Sequence, residues 1–191
     1  MAQTDNHFEL LGLPPKAALD EASLQTAYLQ AAKKFHPDCG QGDADQSAAL
    51  NTALAVLGSP AQRLKHLLEL HNVKSWRPVT LDADMMDLFS RLSSVLGKAD
   101  ELAAKTQASS SSLAKALMAP RVLEVREGLE QLASELMSAR QKLEDALPLL
   151  DDQILAGEEK AWEELQASQA RLAYLEKWHS QARQRLMLLM L

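Results

Sequence analysis

Few residues in this chain have the type and spacing to do chemistry, and most of them cluster around one triplet. His36-Pro37-Asp38 places an imidazole and a carboxylate on either side of a proline, with Lys33 and Lys34 just before it and Cys39 just after. A metal site is not assembled here. His36 with Cys39, or His66 with His71, offers only pairs, short of the ligand set zinc takes. Cys39 is the only cysteine, and no second histidine is placed to serve it as a base. No catalytic residue, metal or cofactor is therefore expected, and the chain reads as a non-enzyme. The triplet is suited to binding instead. Proline fixes φ and removes a donor, so a helix cannot run through it and His36 and Asp38 are held outward on a stiff corner. A stiff corner loses less entropy on docking.

The elements that must carry this corner can be read on both sides of it. Phe8, Leu10 and Leu11 predict a short apolar helix stopped by Gly12 and Pro14-Pro15. Asp20 is a good N-cap for a helix carrying Leu24, Tyr28, Ala31 and Phe35 at steps of four, three and four. Pro37 ends that stripe, and a polar stretch rich in Asp, Gly and Gln runs to about Gln46. Leu50, Ala53, Leu54 and Leu57 then form a second stripe closed by Gly58-Ser59-Pro60. Two such helices should pack as an antiparallel hairpin with the triplet in its connection. A short helix ends near His71, and residues 72–80, holding Trp76 and Pro78, read as a connection.

Beyond it the pattern changes. Leu81, Met85, Leu88, Leu92, Val95, Ala99 and Leu102 alternate steps of four and three, as do Val125, Leu129, Leu132, Leu136, Ala139 and Leu143. The serines 109–112 mark a turn between them, and Pro120 is expected near the first turn of the second helix. A last helix, about residues 158–190, carries Trp162, Leu165, Leu172, Leu175, Ala182, Leu186 and Leu189 on one face. The expected fold is all-α. An N-terminal unit occupies residues 1–75, a linker 76–80, and a three-helix bundle 81–191.

Charge and composition exclude several classes. The 191 residues hold 20 Lys and Arg against 26 Asp and Glu, a net charge of −6, and neither half contains a basic block, so a nucleic-acid partner is not expected. Leu186–Leu191 is far short of the roughly 20 apolar residues that span a bilayer, and no membrane partner is expected. Met1–Glu9 shows no Lys, Arg or long apolar run of a secretory signal. With one cysteine, a reducing compartment follows: the bacterial cytoplasm, or the mitochondrial matrix if a presequence has been removed. The bundle's heptad-like stripes also suit a homodimer.

Taken together, the hairpin, Lys33-Lys34-Phe35-His36-Pro37-Asp38 in its connection, and the following Leu50-Asn51, Leu57, Pro60 and Arg63 resemble a J-domain. The resemblance covers about Asn6–Leu70 and implies a co-chaperone whose His36, Pro37 and Asp38 engage a DnaK- or HscA-type chaperone and promote its ATP hydrolysis. Lys33 and Lys34 would supply charge complementarity. The helix carries Gln25, Thr26, Leu29 and Gln30 where most J-domains place several basic residues.

The stretch Arg63–Asn72 is similar to the end of the J-domain in the HscB family, the co-chaperones of iron–sulfur cluster assembly. Trp162 followed by Arg171–Lys177 is similar to that family's final helix. This second resemblance implies that the bundle binds the cluster scaffold protein, through Met85, Met86 and Phe89 on its first helix and Tyr174 on its last. Any cluster would then ride on the scaffold's ligands. Met86 and Phe89 lie beside the core stripe, leaving apolar area over, and methionine suits an adaptable surface. Tyr174 and Trp178 lie off the last helix's stripe and raise the same expectation. Ser90, Ser93 and Gly97 stand where the family has acidic residues beside this patch.

Overall fold

The computed structural model describes residues 6–34, 44–73, 82–109 and 111–190. It is all-α: seven helices among these residues, α1 (His7–Leu10), α2 (Glu21–Lys34), α3 (Ala44–Gly58), α4 (Pro60–Leu70), α5 (Ala83–Ala108), α6 (Ser112–Leu155) and α7 (Glu159–Leu188).

The local punctuation does what the sequence asks of it. Asn6 caps α1 by accepting from the N–H groups of Phe8 and Glu9. Gly12 then takes φ +67°, a left-handed turn that a side chain would strain, and releases the chain toward Pro14-Pro15. Asp20 caps α2, accepting from both the backbone N–H and the hydroxyl of Ser23. These bonds hold the Asp20 carboxyl below the ordinary carboxylate range. Ser59 caps α4 with Pro60 in its first turn, where a missing N–H costs nothing.

Two compact units result, Met1–Pro78 with Leu143–Ala173 and Val79–Lys142 with Tyr174–Leu191. The grouping differs from the linear division read from sequence, because α6 and α7 each contribute to both. In the first unit α2 and α3 run antiparallel: Leu24 lies beside Gly58, and the Tyr28 hydroxyl donates to Asn51 Oδ1 at 2.7 Å. Phe8, Leu57, Leu64 and Leu68 are fully buried there together with Leu147, Leu165 and Leu172 of α6 and α7. In the second unit the stripes of α5, α6 and α7 meet through Leu92, Ala99, Leu129, Leu136, Leu175 and Ala182.

Pro120 departs from expectation. It is the ninth residue of α6, not part of its first turn, and is exposed. The helix also continues through Pro148, because burial of Leu147 and Leu150 on either side outweighs the hydrogen bond that proline removes. The expected linker lies outside the described residues.

Candidate functional site

The end of the α2–α3 hairpin is the first candidate. Residues 35–43, and with them His36, Pro37 and Asp38, lie outside the described residues. Lys33 is exposed on the last turn of α2, and α2 ends at Lys34. What the structure defines is how that helix is aimed. The segment leading into α2 is held from two sides at Ala17, whose side chain is buried. Arg63 is buried in α4, and its Nε donates to Ala17 O at 2.8 Å while Nη1 donates to Leu57 O at 2.7 Å. Leu57 O belongs to the last turn of α3, a carbonyl with no partner within its own helix. From α6, the Asp151 carboxylate accepts the N–H groups of Ala17 and Ala18, each at 2.8 Å. Hydrogen bonds to a charged group are the stronger kind. Two charged side chains far apart in sequence thus hold Ala17 and Ala18, just before the Asp20 cap. Sequence reasoning quoted Arg63 without this role, and no local signal marks Asp151.

His66 plays a related part in the same core. Its Nε2 accepts the His7 N–H at 3.1 Å, satisfying a donor at the start of α1, and its ring lies 4.5 Å from that of His7. Accepting requires the neutral ring. Burial pushes the His66 pKa down, with a further push from His7 and a smaller opposing pull from Glu69.

The second candidate lies on α5 and α7. Met86, Phe89 and Tyr174 are 51%, 44% and 40% exposed. Met85 is only 6% exposed; the step from Met85 to Met86 turns the helix face by about 100°, which carries the first into the core and the second out. Met85 therefore supports the patch rather than lining it. Trp178, expected at the surface, is 4% exposed and is a core residue. Its ring centroid is 5.6 Å from those of both Phe89 and Tyr174, so the three rings form one tilted row with tryptophan as its buried centre. Ser90, Ser93 and Gly97 are exposed on the same helix, and a side chain at Gly97 would meet nothing within 4 Å. The patch is apolar and lacks carboxylates at these three positions.

Among the described residues no group of three or more His, Cys, Asp or Glu side chains could hold a metal, and no helix is long and apolar enough to cross a membrane.

Residues 6–66 match the DnaJ domain family. The N-terminal segment is a J-domain. Over 77 residues, 36% of this chain, the sequence is 35% identical to the co-chaperone protein HscB homolog of Vibrio vulnificus (strain YJ016) and 39% identical to that of Burkholderia vietnamiensis. The matched stretch spans 45% and 44% of those two relatives, less than half their length. The human co-chaperone protein HscB shares the fold more widely, over 94% of this chain and 83% of its own, with a TM-score of 0.51 and 17% identity. The chain thus carries a J-domain and, over 36% of its length, is similar to the HscB co-chaperones. The J-domain match ends at His66, so it takes in Arg63 and the α2–α3 hairpin but none of the patch on α5 and α7.

Proposed function

We propose that this protein is a J-type co-chaperone: its J-domain stimulates the ATPase of a DnaK- or HscA-type chaperone, and its second unit delivers the iron–sulfur cluster scaffold protein as client. The J-domain match over residues 6–66, with His36-Pro37-Asp38 between α2 and α3, carries the reading. His36, Pro37 and Asp38 make the contact that triggers hydrolysis, and Lys33 and Lys34 steer the encounter. The chaperone performs the chemistry on ATP; this chain binds and positions.

The HscB likeness supports the client. Met86, Phe89 and Tyr174 form an apolar surface braced from beneath by Met85 and Trp178, and an aromatic surface of this kind is what a binding hot spot is made of. Steady-state ATPase of an HscA-type partner tests the first half. His36→Gln should retain the helical circular dichroism and lose the stimulation; full stimulation by that variant overturns it. Calorimetry with the scaffold protein tests the second. Met86→Ala, Phe89→Ala or Tyr174→Ala should each weaken saturable binding, and absence of any binding by the unaltered protein rejects the scaffold as client.

A further inference from the structure

The first three turns of α6 have almost nothing beneath them. From Ser112 to Glu124 no residue is buried, and Val125 is the first of the helix that is. Pro120 sits in the middle of this stretch. It removes the donor for the Ala116 carbonyl, and, unlike Pro148, it has no buried neighbours to offset that loss. Helical turns without tertiary packing are marginal in water, so the segment gains from being covered.

The side left open is apolar. Leu113, Leu117 and Leu123 are 69%, 73% and 55% exposed, and Ala116 and Pro120 are exposed between them. At 100° per residue these five lie within about 120° of arc, roughly 150° around the helix from Val125, Leu129 and Leu132. This is therefore a second stripe, separate from the one that α6 buries in its own unit. Leu113, Ala116, Pro120 and Leu123 follow steps of three, four and three, the spacing of a coiled-coil seam.

Charge is graded along the same stripe. The first turn of α6 has no acid, and Lys115 is the only charged side chain from Ser112 to Pro120. The positive pole of the helix dipole at this end thus has no acid of its own to oppose it. Glu124 and Glu127 follow at the other end, Glu124 at the rim of the α5–α6 cleft. The two arginines nearby are engaged on other sides: Arg121 borders that cleft and acts on Glu101, and Arg126 pairs with Glu130 at 3.9 Å.

We propose that this stripe is the contact between two copies of this chain, with their α6 helices antiparallel about a two-fold axis. In that register Leu113 faces Leu123 of the second copy and Ala116 faces its Pro120, so leucine meets leucine at both ends and small side chains meet at the centre. Glu124 and Glu127 of each copy then lie against the start of α6 in the other. A patch complementary to itself in both apolar spacing and charge is what a two-fold contact requires. Parallel copies would set these glutamates against their own counterparts instead. A stripe this short belongs to the low end of specific interfaces, so the pair is weak and concentration-dependent.

Sedimentation equilibrium of the full chain between about 1 and 300 μM tests this, the range in which so small an interface associates. The average mass should rise from monomer toward dimer. Leu113→Glu with Leu117→Glu should raise the dissociation constant roughly tenfold or more, and Glu124→Lys with Glu127→Lys roughly fivefold, with helical circular dichroism unchanged. Disulfide trapping in a Cys39→Ser background reads the register. A mixture of Leu113→Cys and Leu123→Cys chains, one of them carrying a size tag, should give the mixed dimer on treatment with diamide. Neither chain alone should be trapped, because each position lies ten residues, about 15 Å, from its own counterpart in antiparallel helices. A chain that is monomeric throughout the range, undiminished association of the double leucine variant, or trapping of Leu113→Cys with itself overturns the proposal. Weakened scaffold binding by the double leucine variant, without self-association of the unaltered chain, would make the stripe a client surface and overturns it too. His36→Gln should associate as the unaltered chain does, so its loss of chaperone stimulation bears on the co-chaperone reading alone.

Discussion

In the first unit, polar groups are taken inside and their hydrogen bonds go to backbone; in the second, apolar groups are left outside. Arg63 and His66 are both buried, and each satisfies backbone groups at helix ends or in the segment before α2. Ten of the thirteen exposed large apolar side chains among the described residues belong to the second unit, the other three being Leu29, Leu149 and Leu155. The contrast separates two ways of being functional. Under the proposed function the first unit engages a chaperone, and a frame of buried charges held by fixed partners is suited to that role. Under the same proposal the second unit holds a client, which needs surface left over after the core is complete, and an aromatic row with one buried member and two exposed ones provides that.

The sharpest break of this comparison is at Trp178. Trp178→Ala empties the centre of the aromatic row and should destabilise the second unit by about 4 kcal/mol, the range for a buried tryptophan cut to alanine. Hydrogen exchange should speed up in α5 and the end of α7 while α1–α3 keep their protection. Equal loosening of both units would mean that they do not differ in the way described.

The matching change in the first unit is Arg63→Met. It keeps the aliphatic stem and removes the donors to Ala17 O and Leu57 O, leaving two inward carbonyls unpaired. A cost of about 3 kcal/mol is expected, from the penalty for buried groups that lose a hydrogen bond to a charged partner. Urea unfolding followed by circular dichroism measures it, and chaperone stimulation should fall at a lower temperature than in the unaltered protein. A cost under about 0.5 kcal/mol, ordinary for a surface change, would show that the two bonds do not hold the approach to α2.

How much of this was legible in the sequence follows the same division. Gly12, Asp20, Gly58 and Pro60 act within a few residues of themselves, so the breaks between α1, α2, α3 and α4 could be read directly. The continuation of α6 through Pro148 could not, because what overrides proline there is burial of Leu147 and Leu150 in a core built mainly from residues more than seventy positions earlier. Asp151 was unreadable for the same reason. Trp178 is different. Leu175, Trp178 and Ala182 follow steps of three and four, so the buried stripe was present in the spacing, although the indole's size drew it toward a contact role. For Met85 and Met86, two adjacent residues of one type, only the helix phase set by Leu88 and Leu92 separates the buried from the exposed.

The smallest effect is also the most specific. His66 accepts from His7 N–H only while neutral, and its pKa is lowered chiefly by burial. The unfolded chain, with an ordinary value near 6.5, therefore takes up this proton before the folded one does. The contribution of His66 is fully present above about pH 6.5 and is lost as pH falls from there through the lowered folded value. Carboxylates also titrate in acid, so the informative quantity is a difference between two proteins. His66→Asn keeps an acceptor and removes the titration. The fall in urea midpoint between pH 7.5 and 5.5 should be smaller in His66→Asn than in the unaltered protein, with the change confined to the first unit by hydrogen exchange at α1 and α4. An identical fall in both would place the acid sensitivity elsewhere and leave Arg63 as the polar group on which the rigidity of the J-domain rests.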